Sequence, residues 1–216
     1  VGSMPEIVRS YYGEGKKALE LGDAATAIRL LEEVKKLYPD FAVVNSLLGE
    51  AYLRNSNSGK AIRVFTDLVE HEPDHAGFVR QLAHAYALRG WHKKAIDQYR
   101  RALELDEDNL SLWLGLIKCY HRADDLERAI ETVYRGVEVS NKKGWDNIEL
   151  YYHLIQIDIL LEEQEEMKKH LEEMKKKAAE NEDRENVAWF LKYMAEKIHD
   201  VGLYQEAAAA IEAAAE

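Results

Sequence analysis

The sequence predicts an all-α protein assembled as a helical repeat array, and three observations carry that prediction. Ala27, Ala61, Ala95 and Ala129 stand 34 residues apart. Tyr52, Tyr86 and Tyr120 keep the same step, and so do Pro39 and Pro73. Each segment between these marks carries apolar residues at helical spacing. Self-similarity at a period of about 20 to 50 residues marks stacked supersecondary units, not a single closed core.

Each unit reads as two helices. The first carries a small residue at one site, Gly15, Gly49 or Ala83, with Ile117 as the exception. Three residues later stands Ala18, Tyr52, Tyr86 or Tyr120. A turn follows at Gly22-Asp23, Ser56-Asn57, Gly90-Trp91 and Asp124-Asp125, residues that punctuate helices, Trp91 apart. The second helix places its alanine and, four positions on, a larger residue: Leu31, Phe65, Tyr99 or Val133. The i, i+4 spacing puts both on one helix face. Pro39 and Pro73 close the first two units, and Glu107 and Asn141 stand where the proline is missing. Proline ends a helix because it lacks an N–H and clashes with the preceding turn.

This pattern resembles the tetratricopeptide repeat family. The residues that carry the resemblance are Leu48-Gly49-x-x-Tyr52, Ala61-x-x-x-Phe65 and Pro73 in the second unit. The third repeats them as Leu82-Ala83-x-x-Tyr86, Gly90 and Ala95-x-x-x-Tyr99, and the fourth as Trp113-x-x-Leu116, Tyr120 and Ala129. The resemblance implies a tetratricopeptide-type α-solenoid, a right-handed superhelix of antiparallel helix pairs whose first helices line a concave, ligand-contacting surface.

The expected layout is a cloning scar at 1–4, four regular units over 5–141, a divergent fifth helix pair over 142–180 and a sixth over 181–216. Leu150, Tyr151, Leu154, Ile155, Ile157 and Leu161 mark the first helix of the fifth pair, and Met167, Leu171 and Met174 the second. A loop over 141–146 leads into it. Glu165–Lys169, Glu172–Lys176 and Glu173–Lys177 are spaced as i, i+4 ion pairs. In the sixth pair Trp189, Phe190, Tyr193, Met194 and Ile198 precede Gly202, and Ala207 and Ile211 follow it. The alanine-rich end from Gln205 to Glu216 lacks the polar outer face of a terminal unit. It is expected to be a truncation or a surface for self-association through the C-terminal helix.

The 216 residues carry a net charge of -11, with 32% charged and 47% hydrophobic residues. That balance suits a soluble chain with a normal buried fraction. It opposes nucleic-acid binding, which needs clustered Lys and Arg. No apolar run approaches the ~18 residues of a membrane span. The start lacks the basic and apolar segments of a secretory leader, and the single cysteine, Cys119, cannot form an internal disulfide. A cytoplasmic address follows as the expectation.

Catalytic signatures are weak. His71-Glu72-Pro73-Asp74-His75 matches H-E-x-x-H, but that chemistry needs both histidines on one helical turn, and Pro73 stands inside it. No phosphate loop, dinucleotide fingerprint or nucleophile elbow occurs. Cys119 reads as a structural thiol beside Lys118. No catalytic residue, cofactor or metal is expected.

Transferring the family's groove by resemblance selects Tyr12 with Arg9, Lys16 and Glu20 in the first unit, and Arg54 with Ser46, Leu47, Glu50 and Leu53 in the second. It selects Arg80 and His84 with Gln81 and Leu88 in the third, and Leu114, Lys118, His121 and Arg122 with Ser111 in the fourth. Lys16–Glu20 and Glu50–Arg54 pair a base with an acid one turn away. Arg80 with His84, and Lys118 with Arg122, share faces on which no acid stands at that spacing. An acidic chain with a basic stripe is expected to attract an acidic or C-terminal segment. The lysine–asparagine clamp of some chaperone-binding relatives is not matched: Tyr12 and Ser46 stand where lysine would be, Leu47 and Gly115 where polar residues would be, Lys16 and Glu50 where asparagine would be. The function expected is therefore a non-catalytic protein-interaction scaffold, with a regulatory or substrate-presenting arm of a larger enzyme as the alternative.

Overall fold

The computed structural model describes residues 5–144, 148–161, 163–180 and 192, and these residues form ten α-helices and no strand. In order they are α1 (Glu6–Glu20), α2 (Ala24–Leu37), α3 (Ala42–Arg54), α4 (Ser58–His71), α5 (Ala76–Leu88), α6 (His92–Leu105), α7 (Leu110–Arg122), α8 (Leu126–Lys143), α9 (Ile148–Leu160) and α10 (Gln164–Glu180). No helix among the described residues is long and apolar enough to cross a membrane. The chain forms two compact units, Val1–Asp125 and Leu126–Glu216.

In the first unit each helix packs on the next, and α1, α3, α5 and α7 also touch in series. The turn inside each helix pair is the same structure four times. Gly22, Ser56, Gly90 and Asp124 all hold positive φ, at 82°, 58°, 82° and 58°. After each comes an N–H that reaches back to the carbonyl five residues earlier: Asp23 to Ala18, Asn57 to Tyr52, Trp91 to Tyr86 and Asp125 to Tyr120. This is the Schellman closure, which satisfies carbonyls orphaned at a helix end and needs one left-handed residue. Glycine adopts that conformation without steric cost. Asp23 and Asn57 then cap the next helix, accepting from Thr26 and Lys60 N–H.

The turns between pairs use unlike partners for one job. The Pro39 carbonyl accepts from Asn45 Nδ2 at 2.7 Å, the Pro73 carbonyl from Arg101 at 2.6 Å, and the Glu107 carbonyl from Trp113 Nε1 at 3.1 Å.

Packing follows from the small residues. Ala27, Ala61 and Ala95 have no exposed surface, and neither has Ala129 in the second unit. At Gly49 an added Cβ would stand 2.5 Å from Phe65 Cζ, so the α3 backbone rests directly on the ring. At Gly15 the corresponding gap to Leu31 is 3.0 Å. In the third pair Ala83 takes the glycine's place, and Tyr99 takes that of Phe65. The Tyr99 ring lies under Gly115 of α7, where a Cβ would be 2.5 Å from Cε1 and Cζ.

In the second unit α8 packs on α9 and α9 on α10. Leu150, Tyr151, Leu154, Ile155 and Ile157 are buried with Met167, Leu171 and Met174. Asp158, with no exposed surface, shares a 2.7 Å hydrogen bond with His170 Nδ1. Burial pushes its carboxyl above the ordinary value, against the pull of His170. Three details depart from the sequence reading. Residues 141–143 are the last turn of α8, not loop. Leu161 falls beyond α9 and is exposed. The α10 ion pairs form at i, i+3, as Glu165–Lys168, Glu166–Lys169 and Glu172–Lys175, because both spacings are neighbours on a helix surface. The expected sixth pair and the residues 1–4 lie outside the described residues.

The glycines of α1 and α3 separate propensity from packing. Nothing lies within 4 Å of a Cβ at Gly13, so Gly13→Ala should raise stability by about 0.5–1 kcal/mol. Gly49→Ala should lower it by about 1–3 kcal/mol through collision with Phe65. Thermal melts followed by circular dichroism at 222 nm should move in opposite directions for the two variants.

Candidate functional site

The first helices of the first unit carry a polar stripe because their opposite faces are spent on packing. On α5, Phe78, Val79, Leu82, Ala83 and Ala85 are buried, which leaves Arg80, His84 and Leu88 outward at i, i+4 spacing. On α7, Leu112, Trp113, Leu116, Ile117 and Tyr120 are buried, which turns Ser111, Leu114, Lys118 and Arg122 to the other side. Between these two faces is a hollow of about 500 Å³. Ala87, Leu88, Leu114, Gly115 and the Tyr99 ring give it apolar wall, and Arg80, Lys118 and Arg122 give it three cations. Among the described residues no carboxylate lines it.

A second hollow of about 310 Å³ lies between α3 and α5, lined by Glu50, Leu53, Arg54, Arg80, Gln81 and His84. Arg80 and His84 border both. This stretch is held by side-chain bridges across the first helices. Ser46 Oγ donates to Gln81 Oε1 at 3.0 Å, and Arg54 donates to the Leu19 carbonyl at 2.7 Å and to Glu50 at 2.6 Å. Arg54 is thus a tie between α1 and α3. Lys16 and Glu20 approach to 3.9 Å.

The structure therefore brings Arg54, Arg80, His84, Leu114, Lys118 and Arg122 to two adjoining hollows. Tyr12 and His121 line neither. Tyr12 packs its ring 6.2 Å from that of Phe41. His121 stands at the end of α7, where burial lowers its imidazole pKa. Burial, then the Arg80 charge, likewise lowers that of His84. Sequence reasoning missed Tyr99 and His92 as lining residues, and placed Gly115 only as an unmatched clamp position. The signal was present at 115, where the 34-residue step gives Leu47, Gln81 and then glycine.

The two chemical decoys have plain structural settings. His71 is the last residue of α4, with Nδ1 2.7 Å from the Asp67 carbonyl. His75 precedes α5 and stacks on Phe78 with ring centroids 3.8 Å apart. The two do not share a helical turn, so the geometry that H-E-x-x-H chemistry needs is not formed. Among the described residues, no group of three or more metal-ligating side chains is placed to hold an ion. Cys119 is 2% exposed, and burial pushes its thiol up to about 11, so it stays protonated at neutral pH.

Comparison with known proteins agrees with the fold. Family profiles for the tetratricopeptide repeat match residues 12–65, 46–109 and 88–142. No curated protein sequence matches the chain. Among solved structures, a MamA protein superposes with a TM-score of 0.70 at 21% identity, over 83% of this chain and 96% of that one. A putative kinesin light chain with nearly identical TPR-like repeats from Podosopora anserina gives 0.68 at 16%, over 82% and 99%. The apo form of RapI gives 0.72 at 11%, over 95% and 83%. Identities this low speak to the fold alone, whereas the profile matches run through consecutive units that share one turn and one packing rule. On those profile matches, which cover more than half of its length, the chain belongs to the tetratricopeptide repeat family.

Proposed function

We propose that this protein is a non-catalytic, cytoplasmic interaction scaffold whose first-helix groove binds an acidic peptide or protein segment. The observation that carries the reading is the α5/α7 hollow, with Arg80, Lys118 and Arg122 on its wall and no carboxylate among the described lining residues. It stands in a chain of net charge -11. Local charge opposite in sign to the whole steers an oppositely charged partner to one place and repels it elsewhere. Hydrogen bonds to a charged group contribute about 1.5–3 kcal/mol each where partly desolvated. On this reading residues 5–141 act as the regular array that builds the groove.

Charge reversal tests the proposal. A fluorescent glutamate- and aspartate-rich peptide should bind the parent, and binding should weaken as salt rises. The triple variant Arg80→Glu, Lys118→Glu, Arg122→Glu should lose at least roughly a hundredfold in affinity with its helical circular dichroism unchanged. Equal affinity in parent and variant, measured by anisotropy, would refute the groove.

A second prediction concerns pH. The imidazole of His84 is depressed below its ordinary 6.5 by burial and then by Arg80, so it is neutral at pH 7.5. An acidic ligand favours its protonated form, and binding then takes up a proton. Affinity should therefore rise as pH falls below 6.5, while ligand carboxylates stay ionised until about pH 4.5. His84→Gln should flatten that rise. A pH profile identical in the two proteins would exclude His84 from the contact.

A further inference from the structure

Tyr99 stands in the column of Leu31, Phe65 and Val133, yet its ring lines a first-helix hollow. It belongs to α6, a second helix, whose other buried residues are the packing alanines Ala95 and Ala102. It reaches the first-helix groove because residue 115 is glycine. An added Cβ there would stand 2.5 Å from the ring and 2.8 Å from the hydroxyl, so the phenol lies directly beneath the α7 backbone. The residue is 5% exposed and lines the α5/α7 hollow.

Two polar groups on this wall have no protein partner. The Tyr99 hydroxyl makes no hydrogen bond to any described residue, although burial is the main influence on it and pushes its pKa upward. The Arg80 charge pulls the other way. On the same helix, His92 Nδ1 is buried and unpartnered among the described residues. Buried polar groups are ordinarily satisfied, so the His92 nitrogen is the unusual one, whereas the Tyr99 oxygen is not fully enclosed. The same hollow is lined by Ala87, Leu88 and Leu114 and by the cations of Arg80, Lys118 and Arg122. The hollow thus combines apolar, hydrogen-bonding and cationic lining. Its volume falls in the range of sites that enclose part of a ligand.

We infer that the α5/α7 hollow is a specificity pocket that takes one leucine- or phenylalanine-sized side chain of an acidic segment, with a neighbouring carboxylate of that segment accepting a hydrogen bond from the Tyr99 hydroxyl. This rests on the groove reading above and adds to it. Charge on Arg80, Lys118 and Arg122 admits acidic segments in general. The pocket selects among them by the apolar residue they carry, and the phenol fixes the register. Gly115 is the residue that makes both possible.

The test uses the full chain and three fluorescein-labelled peptides, each with the same flanking glutamates and aspartates and a central leucine, alanine or serine. Anisotropy gives the affinities, and a thermal melt accompanies each protein. The leucine peptide should bind roughly tenfold or more tightly than the serine peptide. Tyr99→Phe should weaken all three by roughly tenfold while melting with the parent, since the lost hydroxyl had no protein acceptor. If the three peptides bind the parent equally, yet the charge-reversed triple variant binds none, the groove stands and the pocket is overturned. If Tyr99→Phe binds like the parent, or loses binding only together with a large fall in melting temperature, the role given to the hydroxyl is overturned. Failure of all three peptides to bind the parent overturns the pocket and the groove together.

Discussion

The close approach of two helix backbones, with a ring or a branched side chain laid against a residue that has almost no side chain, is the constraint on which the rest of this molecule depends. Gly49 against Phe65 shows it most plainly, and the fully buried Ala61 and Ala95 belong to the same seam. A repeat of this kind has no closed core, so its stability is a sum of such pair contacts and of the interfaces between neighbouring pairs. Each pair must also turn back sharply. The left-handed residue at Gly22, Ser56, Gly90 and Asp124 lets the second helix begin directly after the first ends, and close packing would fail with a longer connection.

Function follows from where that packing is spent. The buried faces of α5 and α7 leave Arg80, His84, Lys118 and Arg122 on the opposite side, close enough across the hollow to act on one ligand. Because the helices are fixed by their own seams, those exposed side chains take no part in the backbone packing. Arg54 is the counterexample within the stripe. Its bonds to the Leu19 carbonyl and Glu50 commit it to joining α1 and α3.

The period made the helix pairs, the turns and the buried alanines legible, because each is a local choice repeated at one step. The charged residues that line the two hollows were legible for the same reason. What escaped was set by contacts between units. Tyr99 and Ala83 are ordinary members of their columns, and only their combination with Gly115 sends the ring into the groove. The carbonyls of Pro39, Pro73 and Glu107 find Asn45, Arg101 and Trp113, three side chains with no common pattern. Tyr12 occupies a groove column yet packs on Phe41, a contact with the next pair that its own column does not announce. In α10 the lysines chose glutamates at i, i+3, a choice between two equivalent spacings that sequence alone does not make.

Chemical-shift mapping tests the central claim most directly. An acidic peptide titrated into the isotope-labelled chain should shift backbone amides on α5 and α7, centred on Arg80, His84, Lys118 and Arg122, and leave the outer faces of α4 and α6 unmoved. A lysine-rich peptide of the same length should move none of them. Shifts centred on α4 and α6, or equal shifts with the basic peptide, would contradict the account.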